Sequence, residues 1–215
     1  MFAALTGPQA RFAGREGRAA RYDDDVAPFA GLAEGAWDDL AAVAGPGAVV
    51  TLAGLPGPSP RGWEVLMELP GVQLVDDGVA GRQEPEAVRL SAADVPEMLE
   101  LVARTQPGPF RKRTIELGTY LGVRRDGALV AMAGERMRLP GFTEISAVCT
   151  DPAARGQGLA TRLVLALVAS IRARGETPFL HASAANTGAI RLYEALGFRK
   201  RRDVQFTSLR TPSAL

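Results

Sequence analysis

A chain of 215 residues with 47% hydrophobic content can bury a substantial core, as one large domain or two small ones. Its formal net charge of +1 gives no electrostatic reason to expect nucleic acid or an acidic membrane surface as a partner. The single cysteine, Cys149, rules out an internal disulfide; no basic n-region precedes the short apolar start, and no stretch approaches a membrane span, so a cytoplasmic protein is expected.

The patterning divides the chain near residue 85. Before it turn residues are frequent, as in Leu55-Pro56-Gly57-Pro58-Ser59-Pro60. Trp37 to Val43 carries the apolar stripe of a short helix, and Val49 to Leu52 reads as a buried strand. Trp63 to Leu69 and Val72 to Val75 read as further strand, broken at Pro70-Gly71. Residues 1–85 are therefore expected as a smaller, divergent α/β region, and whether they are a degenerate partial copy of the second half stays open, by analogy alone.

Residues 86–215 are better ordered in pattern. Ala87 to Leu90 predicts a strand, and Asp94 to Arg104 a helix, with Asp94 and Glu97 as a capping box and Pro96 in the first turn. Thr119 to Arg124 and Ala128 to Arg138 predict a hairpin across Arg125-Asp126-Gly127. Thr143 to Thr150 is the next strand. Leu159, Leu163, Leu167 and Ile171 recur every four residues, so Gly156 to Arg174 is a helix, closed by Gly175. Pro178 to Ala182 is a strand, Asn186 caps a helix that ends at Gly197, and Phe198 to Leu209 holds the last strand or strands. This order predicts a mixed α/β fold.

The stretch from Val148 to Ala160 is the most informative. A strand stops at Asp151-Pro152, and the small residues of Arg155-Gly156-Gln157-Gly158-Leu159-Ala160 open the long helix. The first N–H groups of a helix lack internal partners and lie at the positive end of its dipole, so the junction suits a phosphate or pyrophosphate, with Arg155 adding a fixed positive charge. A P-loop is excluded because no glycine precedes a lysine. A dinucleotide fingerprint fails at Thr161, where a third glycine belongs, and Glu176 stands before the next strand rather than at its end.

A second run follows, Ala182-Ser183-Ala184-Ala185-Asn186-Thr187-Gly188-Ala189-Ile190-Arg191-Leu192-Tyr193-Glu194-Ala195-Leu196-Gly197-Phe198. Together the two runs resemble the acyl-CoA-binding half of the GCN5-related N-acetyltransferases, in the branch with FR47-like, glycine-acyltransferase-like C-terminal domains. The resemblance covers residues 86 to 209 and implies a fold built on a mixed sheet. Acetyl-CoA would be the co-substrate, and an amine-bearing acceptor would receive its acetyl group directly in a ternary complex. No metal is implied, and homodimer formation stays open. A catalytically silent CoA-binding sensor on the same fold is the alternative.

The resemblance also implies residue roles. CoA phosphates would sit on Arg155, Gly156, Gln157, Gly158, Leu159, Ala160 and Thr161. The thioester would lie along Val148, Cys149 and Thr150, with a backbone N–H near Val148 or Cys149 polarising its carbonyl. Asn186 and Ile190 would border the pantetheine, and Tyr193 would be the general acid for the departing thiolate. Glu144, expected to share a strand face with Ser146, Val148 and Thr150, is the candidate general base. His181, the one histidine, is read as a core or pocket-lining residue, and Cys149 as a small apolar strand residue. With one His and one Cys, a transition-metal site has poor materials. The basic loop Pro107 to Thr114 is read as solvated, or as a wall of the acceptor pocket.

Overall fold

The computed structural model describes residues 1–55 and 57–213. In the first part a short helix α1 (Phe2–Leu5) precedes strands β1 (Ala13–Glu16), β2 (Ala19–Tyr22) and β3 (Ala30–Leu32), which form a small sheet in the order β1-β2-β3. Helix α2 (Trp37–Ala44) follows, and then β4 (Val49–Ala53) and β5 (Glu64–Asp76). The second part runs β6 (Val88–Arg89), α3 (Val95–Thr105), β7 (Tyr120–Arg125), β8 (Ala128–Leu139), β9 (Phe142–Thr150), α4 (Leu159–Ala173), β10 (Thr177–Ser183), α5 (Thr187–Leu196) and β11 (Phe198–Arg210).

Eight of these strands make one mixed sheet, in the order β4-β11-β5-β10-β9-β8-β7-β6. The predicted mixed α/β class is the observed one. The predicted division near residue 85 does not separate two sheets, because β5 lies between β10 and β11 and pairs antiparallel with both. Nor do residues 1–85 repeat the strand order of the second half. Their own sheet has three strands, and β4 and β5 are spent completing the large one.

The expected break at Pro70-Gly71 is also absent, since β5 runs through it for 13 residues. The Pro70 carbonyl accepts from Ala184 N (2.9 Å), on the side where β10 ends. Backbone N–H and C=O of one residue point the same way in an antiparallel strand, so the missing N–H of Pro70 falls where no ladder continues.

Two layers cover the sheet. On one face α4 buries Leu159, Leu163, Leu167 and Ile171, each at most 2% exposed, against Val72, Leu74, Ile145 and Leu180. Each such leucine contributes about 2 kcal/mol of burial. On the other face α3 packs Met98 and Leu101 onto Tyr120, Met132, Ala147 and Cys149. The capping box of α3 lies one turn earlier than expected. Ser91 and Asp94 satisfy each other around a 3-10 turn, and Glu97 instead pairs with Arg124. The β7–β8 turn matches its sequence, with Asp126 and Gly127 both at positive φ.

Two irregularities interrupt the middle of this sheet. Parallel pairing of β9 with β10 covers only Phe142–Ile145 against Thr177–Leu180, so the two strands part beyond Ile145 and Leu180. In β9, Ala147 has φ +52°, and the register with β8 slips between Ser146 and Cys149. The bulge ends the expected alternation. Ile145 and Val148 pack toward α4, whereas Ala147 and Cys149 pack toward α3.

Candidate active site

The gap between the parted strands opens into a cavity of about 780 Å³. Ser146 to Thr150 of β9 form one wall, His181 to Ser183 of β10 the other, and the start of α4 closes one end. The first bond inside α4 runs from Arg162 N to Gly158 O (3.0 Å), which leaves the N–H groups of residues 159–161 without helical partners. Gly156 (φ +81°) and Gly158 (φ +69°) hold the left-handed conformations that turn the chain into the helix. A Cβ on either would meet no protein atom within 4 Å, so the space in front of both is open. The Thr150 hydroxyl, buried in the same wall, has no hydrogen-bond partner. Open glycines, free N–H groups, an orphaned hydroxyl and Arg155 together fit the phosphate and pantetheine portions of CoA.

Most of the expected binding residues meet here. Val148, Cys149, Thr150, Arg155, Gly156, Gly158, Leu159, Ala160, Thr161, Asn186 and Tyr193 all line the cavity. Gln157 and Ile190 do not. Gln157 is exposed, and Ile190 packs on the core beneath α5. Asn186 caps α5 by accepting from Ala189 N (3.1 Å). Asn186→Ala should therefore cost about 1 kcal/mol of stability in denaturant unfolding. A loss within error would mean that the cap contributes nothing and that Asn186 serves the cavity alone.

Tyr193 is 7% exposed and stands edge-on to Phe198, with ring centroids 6.1 Å apart. Burial, with no neighbouring charge or hydrogen bond contributing, pushes its hydroxyl up to about 12, so it stays protonated at neutral pH. Cys149 is buried and its thiol is pushed up mainly by that burial, which suits the apolar role read from the sequence.

Glu144 is not placed as expected. It is fully buried and does not line the cavity. Both carboxylate oxygens are bonded to Arg136, Nε at 3.0 Å and an Nη at 2.7 Å, and one also meets His181 Nδ1 at 2.7 Å. A second register slip, in β8 opposite Glu144, brings Arg136 into this position, where it also lies 4.8 Å from the Phe29 ring. Burial alone would raise the Glu144 pKa, but the Arg136 charge and the His181 and Arg136 hydrogen bonds outweigh it and hold the carboxyl well below the usual range. A carboxylate so engaged has little affinity for a proton. This pairing joins residues on three strands, and no local sequence signal reports it.

Sequence reading also missed the other half of the cavity. Phe29, Thr51, Met67 and Leu69 from the first 85 residues line it with Phe206 of β11 and His181. The basic loop contributes Pro107, Gly108 and Pro109 to the wall, but its arginines turn away. Arg111 bonds the Asp24 carbonyl, and Arg113 pairs with Asp23 and Glu116. Among the described residues no cluster of metal-binding side chains occurs, and no helix is long and apolar enough to cross a membrane.

Residues 120–207 match the model of the FR47-like protein family. Over 122 residues the chain is 34% identical to the N-alpha-acetyltransferase RimI of Mycobacterium tuberculosis, covering 52% of this chain and 76% of that protein. It is also 34% identical over 134 residues to a mycothiol acetyltransferase of Thermobispora bispora, covering 56% of this chain and 44% of the relative; the chain thus spans less than half the length of that relative. A solved structure from Novosphingobium aromaticivorans, described as an acetyltransferase from the GNAT family, superposes with a TM-score of 0.90 at 44% identity, over 96% of this chain and 94% of the other. A GCN5-related N-acetyltransferase from Kribbella flavida, at 17% identity and TM-score 0.62, shares the fold over 99% of this chain and 96% of its own. The strand gap, the glycine-lined helix start and these similarities agree: the chain belongs to the GCN5-related N-acetyltransferase family of acyltransferases.

Proposed function

We propose that the protein transfers an acetyl group from acetyl-CoA directly to a primary amine held in the same cavity. The observation that carries this reading is the continuity of the strand gap with the free N–H groups of α4 in one cavity, which Tyr193 also lines. In this reading the pyrophosphate takes the N–H groups around Gly156 to Thr161, and Arg155 offsets its charge. Pantetheine lies along Val148 to Thr150 in the gap, beside Asn186. The Ala147 bulge takes residues 147 and 148 out of register with β8, which frees a backbone N–H near Val148 to polarise the thioester carbonyl. Tyr193 protonates the leaving thiolate.

The acceptor enters from the opposite end. Phe29, Met67, Leu69 and Phe206 give the cavity an apolar lining, so we read residues 1–85 as the acceptor-side half of one site rather than as an independent unit. The charged side chains lining the cavity are Arg136 and Arg155, and no carboxylate lines it among the described residues. An acceptor with one amine and an apolar body fits this wall better than a polycation.

The test combines calorimetric CoA binding with thiol release from acetyl-CoA, followed by mass spectrometry of the acceptor. The panel holds apolar primary amines, a peptide with a free α-amine (the acceptor class in the name of the RimI relative) and a polyamine. We expect CoA binding, and acetylation favouring the first two over the third. Binding without thiol release on every amine would leave a CoA-binding sensor instead.

A further inference from the structure

Glu144 was the expected base, yet it is sealed from the cavity. The wall at the point where β9 and β10 part is held by a different titratable group, His181. On the acetyl-transfer reading above, we propose that His181 Nε2 accepts the proton of the acceptor amine, and that Glu144 is a positioning residue that fixes the His181 tautomer.

The hydrogen bonds determine the tautomer. Glu144 is ionised and can only accept, so the 2.7 Å contact requires the hydrogen on Nδ1. Nε2 is then bare. Its lone pair meets Gln73 Nε2 at 3.0 Å, and the Gln73 amide is oriented for this because Arg201 donates to Gln73 Oε1 (2.6 Å). An Nε2 without its own hydrogen, on a ring that lines the cavity and is backed by a carboxylate on Nδ1, is the arrangement a general base needs. The amide in front of Nε2 is neutral, and the arginine that holds it is exposed at the surface, so an incoming amine can replace it.

The ring is packed edge-on between Phe179 and Phe206, with centroids at 5.7 and 5.5 Å, which holds its direction. Of the charged groups around it, Glu144 on β9 bonds the ring directly, while Arg136 on β8 bonds Glu144 and Arg201 on β11 bonds Gln73. Tyr22 on β2, Tyr120 on β7 and the Met1 amino group act on Glu144 in turn.

The step balances without any further reactant. The amine lone pair forms the C–N bond to the thioester carbonyl carbon, and the nitrogen passes a proton to His181 Nε2. Collapse of the tetrahedral adduct breaks the C–S bond, and the thiolate takes the Tyr193 proton. The proton on His181 then returns to Tyr193 through solvent, and both groups are reset.

His181 is the one histidine of the chain, so its ring nitrogens give an unambiguous ¹⁵N signal in the labelled wild type. We expect the CoA-bound protein to show the Nδ1–H tautomer. The kcat/KM profile for an acetylated amine should show an acidic limb. His181→Gln should keep CoA affinity, lose that limb and lower turnover by about 100-fold or more. Glu144→Gln should keep the limb, because the base is still His181, and lower turnover, because the Nδ1–H tautomer is no longer enforced. A bare Nδ1 in the wild type overturns the proposal even if Glu144→Gln fails to fold. So does an unchanged limb in His181→Gln, or a limb that vanishes in Glu144→Gln, which would return the base to Glu144. A wild type that binds CoA yet acetylates no amine defeats the transfer reading itself, and this proposal with it. Turnover in the wild type with His181→Gln unimpaired defeats this proposal alone.

Discussion

Gly158→Glu is expected to lower the affinity for acetyl-CoA by roughly 1,000-fold while the protein stays folded. The glycine sits at the α4 start with φ +69°, and the space before its absent Cβ is open. A Cβ there meets no protein atom within 4 Å, and a carboxylate beyond it would extend toward where the proposal puts the pyrophosphate. Two like charges about 4 Å apart in a partly solvated site repel by about 4 kcal/mol, and each 1.4 kcal/mol is about tenfold in affinity. The left-handed backbone adds about 1–2 kcal/mol of strain for any residue with a Cβ, and that cost falls on stability. Gly158→Ala separates the two effects, since it carries the strain without the charge. Calorimetric titration of both variants is decisive. Wild-type affinity in Gly158→Glu would put the phosphates elsewhere.

The parts of this site that the sequence discloses are those made by one segment. A strand running into glycines and then a helix announces itself locally, because the glycines, Asn186 and the leucine periodicity of α4 each act within a few residues. The parts made by pairing are silent. Nothing near Pro70 says that β5 inserts between β10 and β11, and the proline there argues for a break until the end of β10 is known. The alternation rule sets Glu144 on a face with Val148, but one residue at positive φ, Ala147, undoes it. A non-glycine residue in that conformation has no sequence signature of its own. The Arg136–Glu144–His181–Gln73 chain joins four strands, so each member alone reads as an ordinary core or surface residue.

The same topology explains why the first 85 residues resist reading as a domain. Their apolar content is divided between a small three-stranded sheet and two strands given to the large one. The cavity is where the two contributions meet, lined by Phe29, Met67 and Leu69 from the first part and by Phe206 and His181 from the second. On the proposed reading, an acceptor pocket assembled in this way would be tuned through residues distant in sequence from the CoA loop. Substrate choice can then change while the phosphate-binding segment stays the same.

Tyr193→Phe is expected to lower turnover by about 10- to 100-fold and to leave the Michaelis constant for acetyl-CoA nearly unchanged. Phenylalanine keeps the ring that stands edge-on to Phe198, so α5 should hold its place against β11. Only the hydroxyl is lost, and with it, on the proposed reading, the proton for the departing sulfur. Burial keeps that hydroxyl protonated to about 12, so at neutral pH it is always loaded as a donor. Removal of a general acid typically costs about 100- to 10,000-fold, but a thiolate leaves tolerably without help, which places the loss at the low end. Because the interaction arises only as the C–S bond breaks, kcat and kcat/KM should fall together. Steady-state kinetics beside thermal unfolding separates the alternatives. Unchanged turnover at equal stability would make Tyr193 a packing residue. A fall in stability without a fall in kcat would mean that its hydroxyl serves the fold.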